Sequence, residues 1–333
     1  MTYKFNQELT NLISNKKIII TGGTGLIGRQ VVDLLSEFNC KITSVSMDKL
    51  KLNNKCEYIY GDLTDFDFCK KITQGFDIAI HTAGIKGSVD VTKKKPASFF
   101  VPMLLMNTNF LEACRINKLK HVTFTSSIGA YSASEIFIES DELDLNPPMD
   151  SYPGWAKRMA EMQIKAYKIQ YNIDSFSIVR PANVYGPGDN FDPNNAMVIP
   201  SLINKIIRGD NPVKIWGDGK AVRDFIYSKD VAYGILLSLI SKNKFSYYNL
   251  GSGIGITIKE LVETLNEIID FNYEYDVSKP SGAPKRIMDV SKSKTDLNFT
   301  PKTTLFNGLE ETINWFSKNK EDYLHKQNYF LDE

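Results

Sequence analysis

Cysteine is sparse in this chain, with four in 333 residues, at positions 40, 56, 69 and 114. None is paired closely enough with another for a zinc or redox motif, and the density is far below that of a secreted disulfide scaffold. Reduced, buried thiols and no metal centre are therefore expected. Long apolar runs are absent too. The stretch Met1 to Lys17 is polar and has no signal-peptide core, and no later stretch is long and apolar enough for a bilayer. A cytoplasmic protein with no membrane partner follows as the expectation. An excess of one charge is also missing, since 40 basic residues face 39 acidic ones. Such a balance gives no broad attraction for nucleic acid or anionic lipid, so an anionic ligand must be met by a local site. No internal repeat or low-complexity tract is apparent.

What is present suits an ordinary globular enzyme. A hydrophobic fraction of 42% against 24% charged residues is enough apolar material for a large core. The chain exceeds one average domain. Short β-branched runs at 18–20, 41–46, 57–60, 77–81, 121–126 and 176–180 alternate with helical patterns at 26–38, 103–117 and 155–171. That alternation is the βαβ rhythm of a parallel sheet. Beyond Pro181 the chain becomes rich in Gly, Pro and Asn, and helices are suggested at 198–208, 231–241 and 258–269. The expected fold class is α/β: a Rossmann-type doubly wound parallel sheet with a smaller α/β substrate-binding lobe. Residues 1–180 and 222–250 are assigned to the dinucleotide domain, and 181–221 with 251–333 to the smaller lobe. The last residues, Lys318 to Glu333, read as a polar tail.

Gly22, Gly25 and Gly28 lie in a turn that follows a strand and opens a helix. A dinucleotide needs such a turn, because backbone must approach the pyrophosphate closely and a helix amino end must offer free N–H groups. Leu26 and Ile27, at that helix start, join the glycines as cofactor-binding candidates. Asp48, at the end of the second strand pattern, is placed to accept hydrogen bonds from ribose hydroxyls and to repel a 2′-phosphate, which favours NAD over NADP. Lys49 and Lys51 beside it keep open the alternative of a solvated turn carboxylate. Asp62 is a candidate partner for the adenine amino group.

By this point the residues resemble the extended short-chain dehydrogenase/reductase family, the NAD-dependent epimerases and dehydratases. The likeness spans nearly the whole chain: the glycine turn, Gly61-Asp62-Leu63, His81-Thr82-Ala83-Gly84, Thr125-Ser126-Ser127, Arg180 to Pro187 and Arg223-Asp224-Phe225-Ile226 occur in the family's order. Segments Asp189 to Pro200 and Gly282 to Arg286 are most similar to the GDP-fucose synthases and their GDP-sugar relatives. The resemblance implies that Leu63 and Ala83 line the cofactor cleft. It implies that Ser127 holds the reacting oxygen, and that Lys157 is the lysine of a Tyr-x-x-x-Lys motif, serving both cofactor and catalysis. In the family a tyrosinate removes a sugar hydroxyl proton while hydride passes to the cofactor. Arg223 and Arg286 correspond to diphosphate ligands, for which planar guanidinium groups are suited. Asn183, Val198, Lys86 and Ser127 complete the expected substrate site.

Several positions depart from that pattern. Four residues before Lys157 stands Pro153, not tyrosine. Tyr152 is one place earlier, and an offset of five residues diverges by roughly 140° around a helix of about 3.6 residues per turn. Proline suits a first helical turn, so the helix is expected to begin at Pro153 and leave Tyr152 outside it, with an irregular entry that swings its hydroxyl into the cleft. Tyr152 is thus the expected partial replacement for the base, with Tyr131, Asp150 or water as other candidates. After Ser127 come Ile128 and Gly129, where relatives carry an acidic pair or an epimerising cysteine, and Met197 stands where the synthases have a histidine. None of these exchanges a proton, which disfavours dehydration and C3/C5 epimerisation. His81 and His121 are assigned to packing.

What remains is hydride transfer at a sugar hydroxyl, expected at C4, of a GDP-sugar such as GDP-manno-heptose. A nucleotide-sugar 4-epimerase or a GDP-fucose synthase-like reductase is the enzymatic alternative. A catalytically silent NAD-binding regulator is the alternative of another class. The Lys-, Asn- and Ile-rich composition fits a low-GC bacterium making surface or capsular polysaccharide precursors. The apolar faces of Met103 to Cys114 and Trp155 to Tyr171 suit a homodimer or higher homo-oligomer.

Overall fold

The computed structural model describes residues 3–140, 146–242, 246–323 and 330. Its centre is a sheet of seven parallel strands: β1 (Lys17–Thr21), β2 (Lys41–Ser46), β3 (Cys56–Tyr60), β4 (Ile78–His81), β5 (His121–Thr125), β6 (Phe176–Pro181) and β7 (Tyr247–Leu250). Their spatial order is β7-β6-β5-β4-β1-β2-β3. The chain builds β1, β2 and β3 in one direction, then returns to place β4 on the other side of β1. The resulting switch point opens a crevice at the carboxyl ends of β1 and β4, the place where doubly wound sheets bind ligands.

Helices cover both faces, which is why β1 reads as an unbroken apolar run. Ile18 and Ile20 point into one core with α1 (Gly28–Leu35) and α6 (Ser228–Ser238), whereas Ile19 points into the other. That second core is closed by α2 (Phe66–Ile72), α3 (Pro96–Ile116) and α4 (Ser151–Tyr171). A third core unites α5 (Val198–Ile207), α7 (Ile258–Ile268) and α8 (Leu305–Tyr323) with the paired strands Val213–Trp216 and Tyr273–Asp276. A four-stranded sheet joins Ile256–Thr257, Val222–Arg223, Lys285–Met288 and Ile136–Phe137.

Among the boundaries that differ from the sequence reading, three bear on the argument. Helix α3 starts at Pro96 and runs through Pro102, so the expected start at Met103 was too late; a first-turn proline opens the helix, and tertiary burial of Phe99 and Met103 carries it past the second one. Helix α4 begins at Ser151, not Pro153. The expected polar tail is helical as far as Tyr323, because Leu309, Ile313 and Phe316 form a buried stripe that charged residues on the opposite face conceal in a composition count. The remainder of the expected tail, apart from residue 330, lies outside the described residues.

A buried polar chain holds the crevice walls together. Ala83 N–H donates to Thr21 Oγ1 (3.3 Å), which contacts His81 Nδ1 (2.6 Å), and His81 Nε2 contacts Asn107 Oδ1 (3.0 Å). Asn107 Nδ2 in turn donates to the carbonyl of Ala156 (3.4 Å). Since Oδ1 of Asn107 only accepts, the ring proton sits on Nε2 and Thr21 donates to Nδ1. Burial and the nearby Lys157 hold the imidazole neutral, with its pKa pushed down to about 3.

A histidine that protonates unfolded but not folded costs stability in acid. The sign is definite: its contribution is complete above the ordinary value of 6.5 and is lost as pH falls from there toward about 3. His81→Gln, measured by urea denaturation, should cost about 1–2 kcal/mol at neutral pH through imperfect hydrogen bonding. That deficit should shrink by pH 4, because the variant has no ring to charge. A deficit that stays constant with pH would show that His81 is not held neutral.

Candidate active site

The glycine turn between β1 and α1 is shaped by close approach. Gly22 has φ +69°, and a Cβ there would stand 2.8 Å from the Ala83 Cα. A Cβ on Gly28 would lie 2.2 Å from the Gly22 carbonyl oxygen, so the helix start is pressed onto the turn. Around Gly25 the protein is more open, the nearest atom being 3.2 Å away. Helix α1 opens at Ile27 with no side-chain cap; the Arg29 and Gln30 N–H groups turn back to the Gly25 and Ile27 carbonyls, which leaves those of Ile27 and Gly28 for an external acceptor, a suitable cradle for a pyrophosphate. Asp48 is held beside this turn by Thr24, whose Oγ1 donates to its carboxylate at 3.0 Å, while Lys49 and Lys51 are exposed. Asp62 accepts from the Thr64 N–H at 2.8 Å, and Leu63 next to it is buried. A positive-φ turn, an uncapped helix start and a lateral carboxylate together fit an adenine dinucleotide.

Ser127 and Lys157 meet where β4 and β5 end. Ser127 is half-buried, and its Oγ accepts from the Gly129 N–H at 3.0 Å. With a lone pair so engaged, the hydroxyl proton is turned outward as a donor. Lys157 donates to the Thr125 carbonyl at 2.8 Å, and its Nζ lies 3.6 Å from the position a Gly84 side chain would take. Burial lowers its amine to about 8, although Glu161 one turn on pulls the other way.

The tyrosines lie elsewhere. Tyr152 occupies the first turn of α4 and is 51% exposed, with its ring edge-on to Phe100 at 5.9 Å. The entry is irregular at Ser151, whose φ is +46°, but Tyr152 already lies in the first turn and its ring is carried to the outer face, not into the cleft. Tyr131 is buried, donates to Asn249 Oδ1 at 2.8 Å and stacks under the Arg180 guanidinium. Burial raises its pKa far above the ordinary phenol value. Asp150, immediately before α4, holds its carboxylate against Gly129 and toward Arg286 Nη1 at 3.4 Å.

Arg223 and Arg286 stand in register on two parallel strands. In-register residues of a parallel pair project to the same face, so the two guanidinium groups are neighbours. Arg223 donates to the carbonyls of Val222 (2.8 Å) and Ala283 (2.7 Å), and burial beside Arg286 pushes its pKa down to about 10. Two like charges held together this way favour a divalent anion between them. Asn183 spends its side-chain amide on the Asp224 carbonyl at 2.9 Å, a local bond. Lys86 pairs with buried Asp189 at 2.6 Å, and Val198 opens α5 behind Met197. Asp224 and Asn107 had been given no role in the sequence reading. Asp224 receives the backbone N–H groups of Ser252, Gly253 and Met288, and so joins the strand that carries Arg223 to the strand that carries Arg286. A buried acid between Arg and Phe in a short strand was its only signal.

Among the described residues, no group of three or more His, Cys, Asp or Glu is arranged to hold a metal, and no helix is long and apolar enough to cross a membrane.

Comparison with known proteins agrees with this geometry. Residues 18–251 match the family model described as the NAD dependent epimerase/dehydratase family. The chain is 31% identical to GDP-L-fucose synthase 1 of Arabidopsis thaliana, over 91% of this chain and 94% of that protein. It is 32% identical to a putative UDP-glucose 4-epimerase of Methanocaldococcus jannaschii, over 91% and 99% respectively. Its fold superposes with a TM-score of 0.81 on the UDP-glucose 4-epimerase of Thermotoga maritima, solved with UDP-glucose, at 28% identity over 91% of this chain and 99% of that one. The glycine cradle, the parallel sheet with its switch point and the family match over most of the sequence agree: this chain belongs to the NAD-dependent epimerase/dehydratase family and uses NAD.

Proposed function

We propose that this protein is a nucleotide-sugar 4-dehydrogenase that acts on a GDP-sugar, of the GDP-manno-heptose kind. The observation that carries this reading is the in-register pair Arg223 and Arg286, linked to the Ser127 turn through the Arg286 contact with Asp150, with Ile128 and Gly129 after that serine. The pair is built for a sugar-linked diphosphate. The inert residues beside the serine leave hydride transfer as the chemistry, without dehydration or C3/C5 epimerisation. A GDP-linked substrate is favoured by the likeness to a GDP-L-fucose synthase. The likeness to a UDP-glucose 4-epimerase favours a second reading, in which the keto sugar is reduced again on its other face.

In this reading residues 1–180 and 222–250 bind NAD, and 181–221 with 251–333 bind the nucleotide-sugar. Bound NAD supplies the hydride acceptor. Gly22, Gly25, Leu26, Ile27 and Gly28 hold its pyrophosphate, Asp48 its ribose, Asp62 its adenine, and Leu63 and Ala83 line the cleft. Ser127 donates to the sugar oxygen, Lys157 places a cationic donor beside it, and the arginines orient the diphosphate. Lys86, Asn183 and Val198 line the sugar subsite. Val101 and Leu105 on α3, with Met159, Met162 and Ile169 on α4, form exposed apolar stripes on two helices packed against each other. They suit a second copy of the chain.

Incubation with NAD and a GDP-sugar, followed by mass spectrometry, should give a 4-keto sugar and NADH. A C4 epimer with no net NADH would support the epimerase instead, and NAD binding without conversion of any GDP- or UDP-sugar would support the regulator. Arg223→Ala and Arg286→Ala should each raise KM for the nucleotide-sugar about 10- to 100-fold, the loss of a charge-assisted contact, and leave NAD affinity unchanged. For the assembly, the double change Leu105→Glu and Met162→Glu should convert a dimer into a monomer by light scattering; an unchanged mass would remove these helices from the interface.

A further inference from the structure

Hydride transfer from an alcohol leaves a proton that needs an acceptor. On the dehydrogenase reading above, on which this inference rests, the family's tyrosine position is Pro153. Tyr152 faces outward and Tyr131 is fixed in the core as a donor to Asn249. Of the candidates the sequence offers, Asp150 and water remain.

Asp150 has the geometry for it. It precedes Lys157 by seven residues and stands just outside the helix, where Ser151 with φ +46° turns the chain into the first turn. Its position is an N-cap, where an aspartate ordinarily accepts the N–H of the second or third helical residue. Here the third residue is Pro153, which has no N–H, and the Asp150 side chain makes no capping bond. The carboxylate is directed instead over Gly129, where a Cβ would stand 2.2 Å from Oδ2. Gly129 is also the residue whose N–H orients Ser127. Arg286 reaches the other oxygen, Oδ1, at 3.4 Å. One carboxylate thus touches both the turn that holds Ser127 and an arginine of the diphosphate pair, and 42% of its side chain is open to solvent.

We infer that Asp150 is the catalytic proton acceptor, taking the role that the family resemblance gives to a tyrosine. The sugar C4 O–H bond breaks and its proton passes to the Asp150 carboxylate. The C4–H bond breaks with its electron pair, which leaves as hydride to NAD, so the alcohol becomes a ketone and NAD becomes NADH. The protonated acid then returns its proton to water through its open side.

Three variants test the assignment: Asp150→Asn, Asp150→Ala and Tyr152→Phe. With an active wild type, Asp150→Asn should lower kcat on the order of 10²-fold or more. Calorimetric affinities for GDP-sugar and for NAD should stay within about threefold, and the melting midpoint should not move. Added formate should restore turnover to Asp150→Ala, in the space its side chain vacates. Tyr152→Phe should remain at wild-type kcat. A purely structural role through Arg286 would give the opposite division, a raised KM at unchanged kcat, and would overturn the assignment, as would full activity in Asp150→Asn. A wild type inert toward every GDP- and UDP-sugar overturns the dehydrogenase reading itself and the Asp150 assignment with it.

Discussion

A methyl group on Gly154 would stand 2.4 Å from the carbonyl oxygen of Gly129, closer than any real side chain approaches a backbone oxygen. Helix α4 therefore lies with its first turn directly on the short 3₁₀ turn Ile128–Ala130 that follows Ser127. Arg158, fully buried one turn further along, fastens the same contact by donating to the Ala130 carbonyl from both Nε (3.1 Å) and Nη2 (2.7 Å). The two segments cannot separate without uncovering a buried guanidinium and a buried carbonyl, each costly to leave unpaired. Because Asp150 and Lys157 ride on α4 while Ser127 rides on the turn, this one contact sets the spacing of all three.

Sliding of α4 along the sheet is opposed at a second point. Glu161 forms a two-pronged ion pair with Arg180 at 3.0 and 2.7 Å, both side chains nearly inaccessible, and the guanidinium is sandwiched between Tyr131 and Tyr247 at 4.5 Å each. Removing one partner of such a pair strands a buried charge at a cost of about 3–5 kcal/mol. Tyr131 is immobilised by the same sandwich, while burial, against the pull of the arginine, is what raises its pKa. The His81 chain adds a link from the cofactor turn through Asn107 to Ala156, the residue before Lys157. The lysine is thus fixed relative to both the glycine turn and the serine.

Six strands of the central sheet were legible from short apolar strand patterns, and the glycine turn because a strand before it and a helix after it admit few other uses; the seventh strand, Tyr247–Leu250, has no β-branched residue and was not read. The smaller sheets were not: strands of two residues, such as Val222–Arg223 and Ile136–Phe137, carry no periodicity and exist only through long-range pairing. Arg223 and Arg286 could be named from resemblance, but nothing in their spacing of 63 positions along the chain announces that they stand in register. Helix α8 was missed for a different reason, its apolar stripe being diluted by charged neighbours in a segment judged on polarity. Tyr152 was misdirected by a boundary error of two residues: the irregular entry falls at Ser151, and Tyr152 is already in the first turn with its ring on the solvent side.

That small boundary difference also explains why Pro153 is more than a lost tyrosine. A proline at the third helical position removes no intrahelical bond, since the N–H there has no partner within the helix. What it removes is a donor for the N-cap side chain. In a helix beginning with Asp-Ser-Tyr-Ala the aspartate would be free to fold back and cap, its charge held at the helix end. With proline in place that inward bond is unavailable at the third position, and the glycine at 129 leaves space beside the serine turn for the carboxylate to lie in. The substitution that takes a phenol out of the cleft and the glycine that admits a carboxylate act on the same few ångströms, so the two departures are best understood as one rearrangement of the proton-accepting group.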